Sequence, residues 1–212
     1  MTTRLFLIRH GESRSNIEQR YQGQGESDLS QLGLDEAEEL ARYLSKQKFS
    51  AIYSSTLRRS FETAEMISKH HDLDVMKVPE LIERNYGKWE NMKFGDIKKR
   101  YGRIYGKWLI DPGMTLIPGA ESLKALQKRG VAAIEKLVKK NKGRTFCVVG
   151  HGGINRTILF HYMNVDLNNF WRIRQANCCI NVVEFNKHFP VVTLLNSTAH
   201  LGLKGIGGMG YY

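Results

Sequence analysis

Leu5-Phe6-Leu7-Ile8 runs straight into Arg9-His10-Gly11-Glu12-Ser13, with Asn16 one helical turn further on. The apolar run reads as a strand. Where it stops, the chain sets out a guanidinium, an imidazole and a flexible glycine backbone, which is equipment for gripping an oxyanion and attacking it. The arrangement recurs at Phe146-Cys147-Val148-Val149, followed by Gly150-His151-Gly152-Gly153 and then Arg156. Two strand-end histidines, each beside glycine and arginine, suggest one phosphate pocket assembled from both halves of the chain.

Outward from these two stretches, apolar runs alternate with helical spacing. Leu34, Ala37, Leu40, Ala41 and Leu44 predict a helix that follows Ser30-Gln31-Leu32-Gly33. Ala51-Ile52-Tyr53 reads as a second strand ending in Ser54-Ser55-Thr56. A helix follows over about 60–70, and Asp74 to Val78 is a short third strand closed by Pro79. Ser122 to Lys140 returns to helical periodicity, Phe146 to Val149 is the fourth strand, and Asn155 to Tyr162 is a helix. Residues 180–185 and 191–195 read as a closing pair of strands. The middle, about 81–118, is rich in Gly, Trp, Tyr and Lys with poor periodicity, and reads as an excursion over one face. The tail, about 201–212, has five glycines and no core pattern, and reads as loose or as a flap.

This alternation argues for an α/β architecture with an open, largely parallel sheet covered by helices on both faces. Ligands of such sheets bind beyond the carboxyl ends of the strands. His10, the turn from Ser54 to Arg58 and His151 each fall just after a strand, so three strand ends carry polar groups to one edge.

With 212 residues the chain is expected to form a single domain, 1–212, large enough to bury a sizeable core. Its 42% hydrophobic and 25% charged residues exclude a disordered or membrane-spanning class. The first apolar run is too short for a signal peptide or a membrane helix. Three cysteines, two of them adjacent (Cys178, Cys179), cannot make a disulfide framework, which points to a reducing cytoplasm. The formal charge of +11 suits phosphorylated metabolites and nucleic acid alike. Basic-aromatic interleaving is confined to the middle segment, however, which argues against a nucleic-acid module. His70-His71, His161 and His188 show no metal-ligand spacing, and no metal or cofactor is expected.

Cleaving a phosphate ester without a metal requires fixed cations for the dianion, an in-line nucleophile and an acid for the leaving oxygen. Arginine holds phosphate best because its planar fork bonds two oxygens at once. Arg9 and Arg58 can do this, His10 can attack, and His151 can stabilise the transferring group. Glu83, in Leu81-Ile82-Glu83-Arg84, stands where a carboxyl would supply the proton. For His10 to attack, one ring nitrogen must be free while a backbone acceptor fixes the other, and a turn at Gly11 could supply that carbonyl.

The ordered set of motifs resembles the histidine phosphatase superfamily, in its phosphoglycerate mutase-like branch. It comprises Arg9-His10-Gly11-Glu12 with Asn16, and Ser54-Ser55 with Leu57-Arg58 and Thr63-Ala64. It continues through Glu83 with Gly87 and Trp89-Glu90, Pro118-Gly119 with Glu121-Ser122, and His151-Gly152 with Arg156. The resemblance implies a three-layer α/β/α sandwich of the phosphoglycerate mutase-like type. It implies that His10 is transiently phosphorylated, that Arg9, Arg58 and His151 complete the phosphate pocket, and that Glu83 is general acid and then base. Asn16, Gln22, Gly23, Arg84 and Gly152 are implied as substrate contacts.

The segment between Lys88 and Pro118 is shorter than the basic insertion of the cofactor-dependent mutases, which favours a phosphatase for a small phosphorylated metabolite. A phosphoglycerate mutase, or a non-catalytic binder of phospho-ligands or nucleic acid on the same scaffold, remains the alternative. The closing strands near Val191 could leave an edge for a homodimer.

Overall fold

A computed structural model describes residues 1–205. Its centre is a sheet of six strands in the order β3-β2-β4-β1-β5-β6. These are β1 (Thr3–Arg9), β2 (Ile52–Ser54), β3 (Val75–Lys77), β4 (Thr145–Gly150), β5 (Ile180–Phe185) and β6 (Pro190–Ser197). The pairs β1–β4, β2–β4 and β2–β3 are parallel, whereas β1–β5 and β5–β6 are antiparallel. The sheet is thus mostly parallel, with an antiparallel margin that ends at the edge strand β6.

Strand residues alternate between two cores because successive side chains point to opposite faces. Leu5, Leu7, Tyr53, Phe146 and Val148 face one core, shared with α4 (Phe94–Ile110), α5 (Leu123–Lys140) and α6 (Gly152–Tyr162). Ile8, Ile52, Cys147 and Val149 face the other, shared with α2 (Gln31–Leu44) and α3 (Arg58–Ser68). The result is the three-layer α/β/α sandwich that the sequence implied. A one-turn helix, α1 (Arg14–Ile17), follows β1.

Helix starts follow local chemistry. Ser30 caps α2 by accepting the Gly33 N–H at 3.0 Å, and Ser122 caps α5 by accepting the Ala125 N–H at 3.1 Å. The expected excursion at 81–118 holds a short 3-10 turn, Gly87–Trp89, and a long helix the sequence reading missed, the 17-residue α4, kinked at Tyr101. Its Ile97, Tyr105 and Trp108 are buried. The tail reading covers residues 201–212. Of these, 201–205 continue a short helical segment, Ala199–Gly205, while 206–212 lie outside the described residues.

The site follows from the register. Arg9 pairs with Gly150 across β1 and β4, so the next residues, His10 and His151, emerge side by side. The Ser55 N–H donates to the Val149 carbonyl at 3.1 Å, which brings the end of β2 alongside. The three strand ends singled out from the sequence therefore meet at one edge.

Candidate active site

His10 is buried at the end of β1, and its Nδ1 donates to the Gly11 carbonyl oxygen at 2.6 Å. A carbonyl only accepts, so the proton sits on Nδ1 and the neutral ring keeps its lone pair on Nε2. Burial, then the positive charges of Arg59 and Arg9, hold the His10 pKa well below its usual 6.5. The imidazole is consequently uncharged at neutral pH, with the Nε2 lone pair available.

His151 lies against His10 edge-on, with ring centroids 5.1 Å apart, and is fully buried. Its Nε2 is 2.7 Å from Ser55 Oγ, which already accepts the Leu57 N–H at 3.2 Å. Where the Ser55 hydroxyl donates to Nε2, the ring proton of His151 sits on Nδ1. That Nδ1 is buried without a protein partner. Burial first, then Arg59, His10 and Arg9, hold the His151 pKa far below 6.5 as well.

Two buried guanidiniums flank the histidines. Arg9 Nη1 donates to the Gln175 carbonyl at 2.6 Å. Arg59 donates from Nη1 to the Gly25 carbonyl and from Nη2 to the Gly23 carbonyl, each at 2.8 Å. Arg59 has both outer nitrogens tied to backbone and Arg9 has one, while in both residues Nε is buried without a protein partner. Burial lowers the Arg59 pKa to about 10, still charged at neutral pH.

The structure puts Arg59, not Arg58, in the pocket. Arg58 was expected in the pocket, but its side chain is 63% exposed and forms ion pairs with Asp28 and Glu62. One residue later the helix has turned about 100°. Arg59 shares the buried face of α3 with Thr63 and Ile67, and it is Arg59 that lines the cavity. Helix phase was the signal that could have separated them.

Glu83 reaches the site from the far side. Its carboxylate accepts the N–H groups of Gly153 (2.8 Å, Oε2), Ile154 (3.0 Å, Oε1) and Arg84 (2.8 Å, Oε1). Two of these are first-turn donors of α6, a natural seat for an anionic side chain. Gly153 permits the approach, since a Cβ there would lie 2.6 Å from Glu83 Oε1. Arg129 on α5 fixes the segment that carries Glu83. It donates to the carbonyls of Glu80 (2.8 Å), Ile82 (2.7 Å) and Glu83 (2.9 Å), while pairing with Glu121. The sequence reading did not single out Arg129.

Arg9, His10, Arg59 and Glu83 line one cavity of about 1180 Å³, together with the expected Asn16, Gln22, Gly23 and Gly152. Asn16 Oδ1 accepts the Ser13 N–H at 3.0 Å. Arg84 departs from expectation. Fully buried, it is not among the cavity-lining residues. Its guanidinium lies over Trp108 (4.5 Å) and Tyr86 (5.1 Å), and its Nε donates to the Glu121 carbonyl at 2.8 Å. Aromatic faces and a carbonyl make it a structural arginine rather than a substrate contact. Among the described residues, no three His, Cys, Asp or Glu side chains gather to hold a metal ion.

A sheet of this order, with two histidines at neighbouring strand ends beneath buried arginines, defines the phosphoglycerate mutase-like class of α/β proteins. The chain belongs to the histidine phosphatase superfamily (branch 1), whose profile matches residues 5–198. It is 33% identical over 199 residues to phosphoserine phosphatase 1 of Hydrogenobacter thermophilus, with 94% of each chain covered. It is also 33% identical over 219 residues to a metal-independent phosphoserine phosphatase of Arabidopsis thaliana, covering 99% of this chain and 87% of that one. Among solved structures, a phosphoserine phosphatase mutant from Entamoeba histolytica in complex with phosphoserine matches with a TM-score of 0.85. There the identity is 28%, over 94% of this chain and 99% of that chain. The chain is a histidine phosphatase.

Proposed function

We propose that this protein hydrolyses a small phosphate monoester without a metal, through a phosphorylated His10, and that phosphoserine is the first substrate to test. The neutral His10 ring, pinned at Nδ1 by the Gly11 carbonyl, is the observation that carries this reading. The phosphoryl group is gripped by Arg9 and Arg59, with Asn16 and the His151 Nδ1–H as further donors. His10 Nε2 attacks phosphorus, the P–O bond to the leaving group breaks, and the departing oxygen takes the proton of Glu83. Glu83 must enter this step as the neutral acid and leaves it as the carboxylate. A water then enters, Glu83 takes its proton, and the hydroxide displaces phosphate from His10. Charge develops on the transferring oxygens, where fixed guanidiniums stabilise it without reorganising. The relatives named above, phosphoserine phosphatases of similar length, support hydrolysis over isomerisation.

The three cysteines are free and buried, in keeping with a reducing cytoplasm. No helix of the described residues is long and apolar enough to cross a membrane. If the protein dimerises, the open side of β6 is the edge it offers, and sedimentation velocity decides the point.

The test is hydrolysis of p-nitrophenyl phosphate and phosphoserine in EDTA, with wild type beside His10→Ala. Activity should survive chelation and fall by at least about 10³-fold in the variant. Hydrolysis by His10→Ala at the wild-type rate would end the phosphohistidine reading. Fast conversion of 3-phosphoglycerate to 2-phosphoglycerate, primed with 2,3-bisphosphoglycerate, would make the protein a mutase.

A further inference from the structure

The carbonyl that holds Arg9 belongs to a loop kept in place by side-chain amides. Gln175 and Asn181 pair head to head: Gln175 Nε2 donates to Asn181 Oδ1 at 2.9 Å, and Asn181 Nδ2 donates to Gln175 Oε1 at 2.8 Å. Asn181 Nδ2 also donates to the Leu7 carbonyl at 2.9 Å, and its Oδ1 also accepts the Asn196 N–H at 2.8 Å. All four hydrogen-bonding positions of this fully buried amide are therefore used. Gln175 is equally engaged. Its Nε2 reaches the Arg174 carbonyl at 3.1 Å, and its Oε1 accepts the Cys179 thiol at 3.6 Å. Asn196 closes the ring by accepting the Ala176 N–H on its Oδ1 at 2.7 Å.

A saturated buried amide cluster specifies one arrangement, because breaking any member leaves another unsatisfied in a low dielectric. Here the arrangement it specifies is the position of the Gln175 carbonyl. That carbonyl accepts Arg9 Nη1 at 2.6 Å, in the same guanidinium whose Nε is buried beside the cavity without a protein partner. Leu7, bonded by Asn181, precedes Arg9 by two residues on β1. The cluster thus grips both the strand that launches Arg9 and the acceptor that aims its tip.

We propose that Gln175 and Asn181 are positioning residues that act through Arg9, fixing its guanidinium and thereby setting the affinity of the site for the phosphoryl group. This rests on the reading of Arg9 as a phosphate ligand. Gln175 lines the cavity, but with both amides consumed internally the pair sets phosphate affinity through Arg9 rather than by holding phosphate itself.

The experiment is a double-mutant cycle on inorganic phosphate binding, measured by calorimetry in wild type, Gln175→Met, Arg9→Lys and the double variant. Gln175→Met should weaken phosphate roughly 10- to 100-fold, since a guanidinium displaced by an ångström loses its preorganised geometry. On the Arg9→Lys background, where no planar fork remains to be aimed, the same change should cost less than about 2-fold. Multiplicative effects in the double variant, or unaltered phosphate binding in a folded Gln175→Met protein, would overturn the proposal. If Gln175→Met does not fold, Asn196→Gly takes its place in the cycle. It removes only the Ala176 contact, and its φ of 50° suits glycine. It should weaken phosphate about 3- to 10-fold, with the same collapse on Arg9→Lys. Phosphate binding needs no turnover, so hydrolysis by His10→Ala would count against the phosphatase mechanism alone.

Discussion

The floor and the wall of the cavity are held by different kinds of bond. On the floor, Arg9 ends β1 and His10 follows it. His151 packs behind His10 at the end of β4 and does not itself line the cavity. Backbone bonds fix Arg9 and His10 on either side. The His10 N–H donates to the Gly150 carbonyl at 3.1 Å, the Arg9 N–H to the Cys179 carbonyl at 3.3 Å, and the Cys178 N–H to the His10 carbonyl at 3.2 Å. Glu83 stands outside any strand or helix. Its place is set by an arginine from α5 on its backbone and by α6 amides on its carboxylate. The proposed grip and the proposed proton donor are therefore separate mechanical systems, and they should fail separately.

After His10→Ala, the largest effect is expected at Arg59, which joins the floor from α3. Arg59→Met should lower kcat/KM for small phosphate esters by about 10²- to 10³-fold, the usual cost of removing a preorganised charge from a developing anion. Its exposed neighbour sharpens the contrast, because Arg58→Met should stay within about 2-fold, as for other solvated ion pairs. Equal losses in steady-state assays of the two variants would return the grip to the outer arginine. On the wall, Arg129→Met should reduce kcat by roughly 10-fold as Glu83 loses its alignment, short of the full contribution of a general acid. Phosphate affinity should be untouched. A parallel rise in the phosphate Kd would show that floor and wall are coupled after all.

The smallest effect concerns acid. His10 and His151 bind protons far less readily in the folded chain than at the unfolded value near 6.5. Below that value the unfolded chain holds more protons, so stability rises with pH up to about 6.5 and falls as the medium is acidified. Urea midpoints of wild type and His151→Gln at about pH 5 and pH 7 check this, since the variant should lose one histidine's share of the slope. Identical slopes would mean that His151 titrates normally. Rates should follow the same logic, with kcat/KM for small esters keeping its neutral-pH value well below pH 6.5 before His10 is protonated.

Most of the fold was legible because its central strands are short apolar runs and two of its amphipathic helices, α2 and α5, start at serine caps. The floor was legible for the same reason, since His10 and His151 directly follow such runs. The helix α4 was not. Its buried positions Ile97, Tyr105 and Trp108 have helical spacing, but they are carried largely by aromatic residues and diluted by Gly95, Gly102 and Gly106. Glycine lowers helix propensity by about 1 kcal/mol relative to alanine, so local preference spoke against what tertiary packing enforces. Arg84 was unreadable for a related reason. Whether an arginine faces water or the Trp108 ring depends on where α4 lies, and nothing near residue 84 encodes that. Arg129 also acts at a distance, on carbonyls more than forty residues away in the chain.

The three cysteines give the floor a built-in clock. Cys147 lies in β4, and Cys178 and Cys179 form the backbone link to His10 and Arg9. All three thiols are buried, and burial pushes each pKa up. A thiol reagent can reach them only when this part of the sheet opens, so the rate of alkylation times the opening of the catalytic floor itself. Bound phosphate should slow that clock in proportion to its occupancy, which makes the same cysteines a built-in reporter of ligand binding.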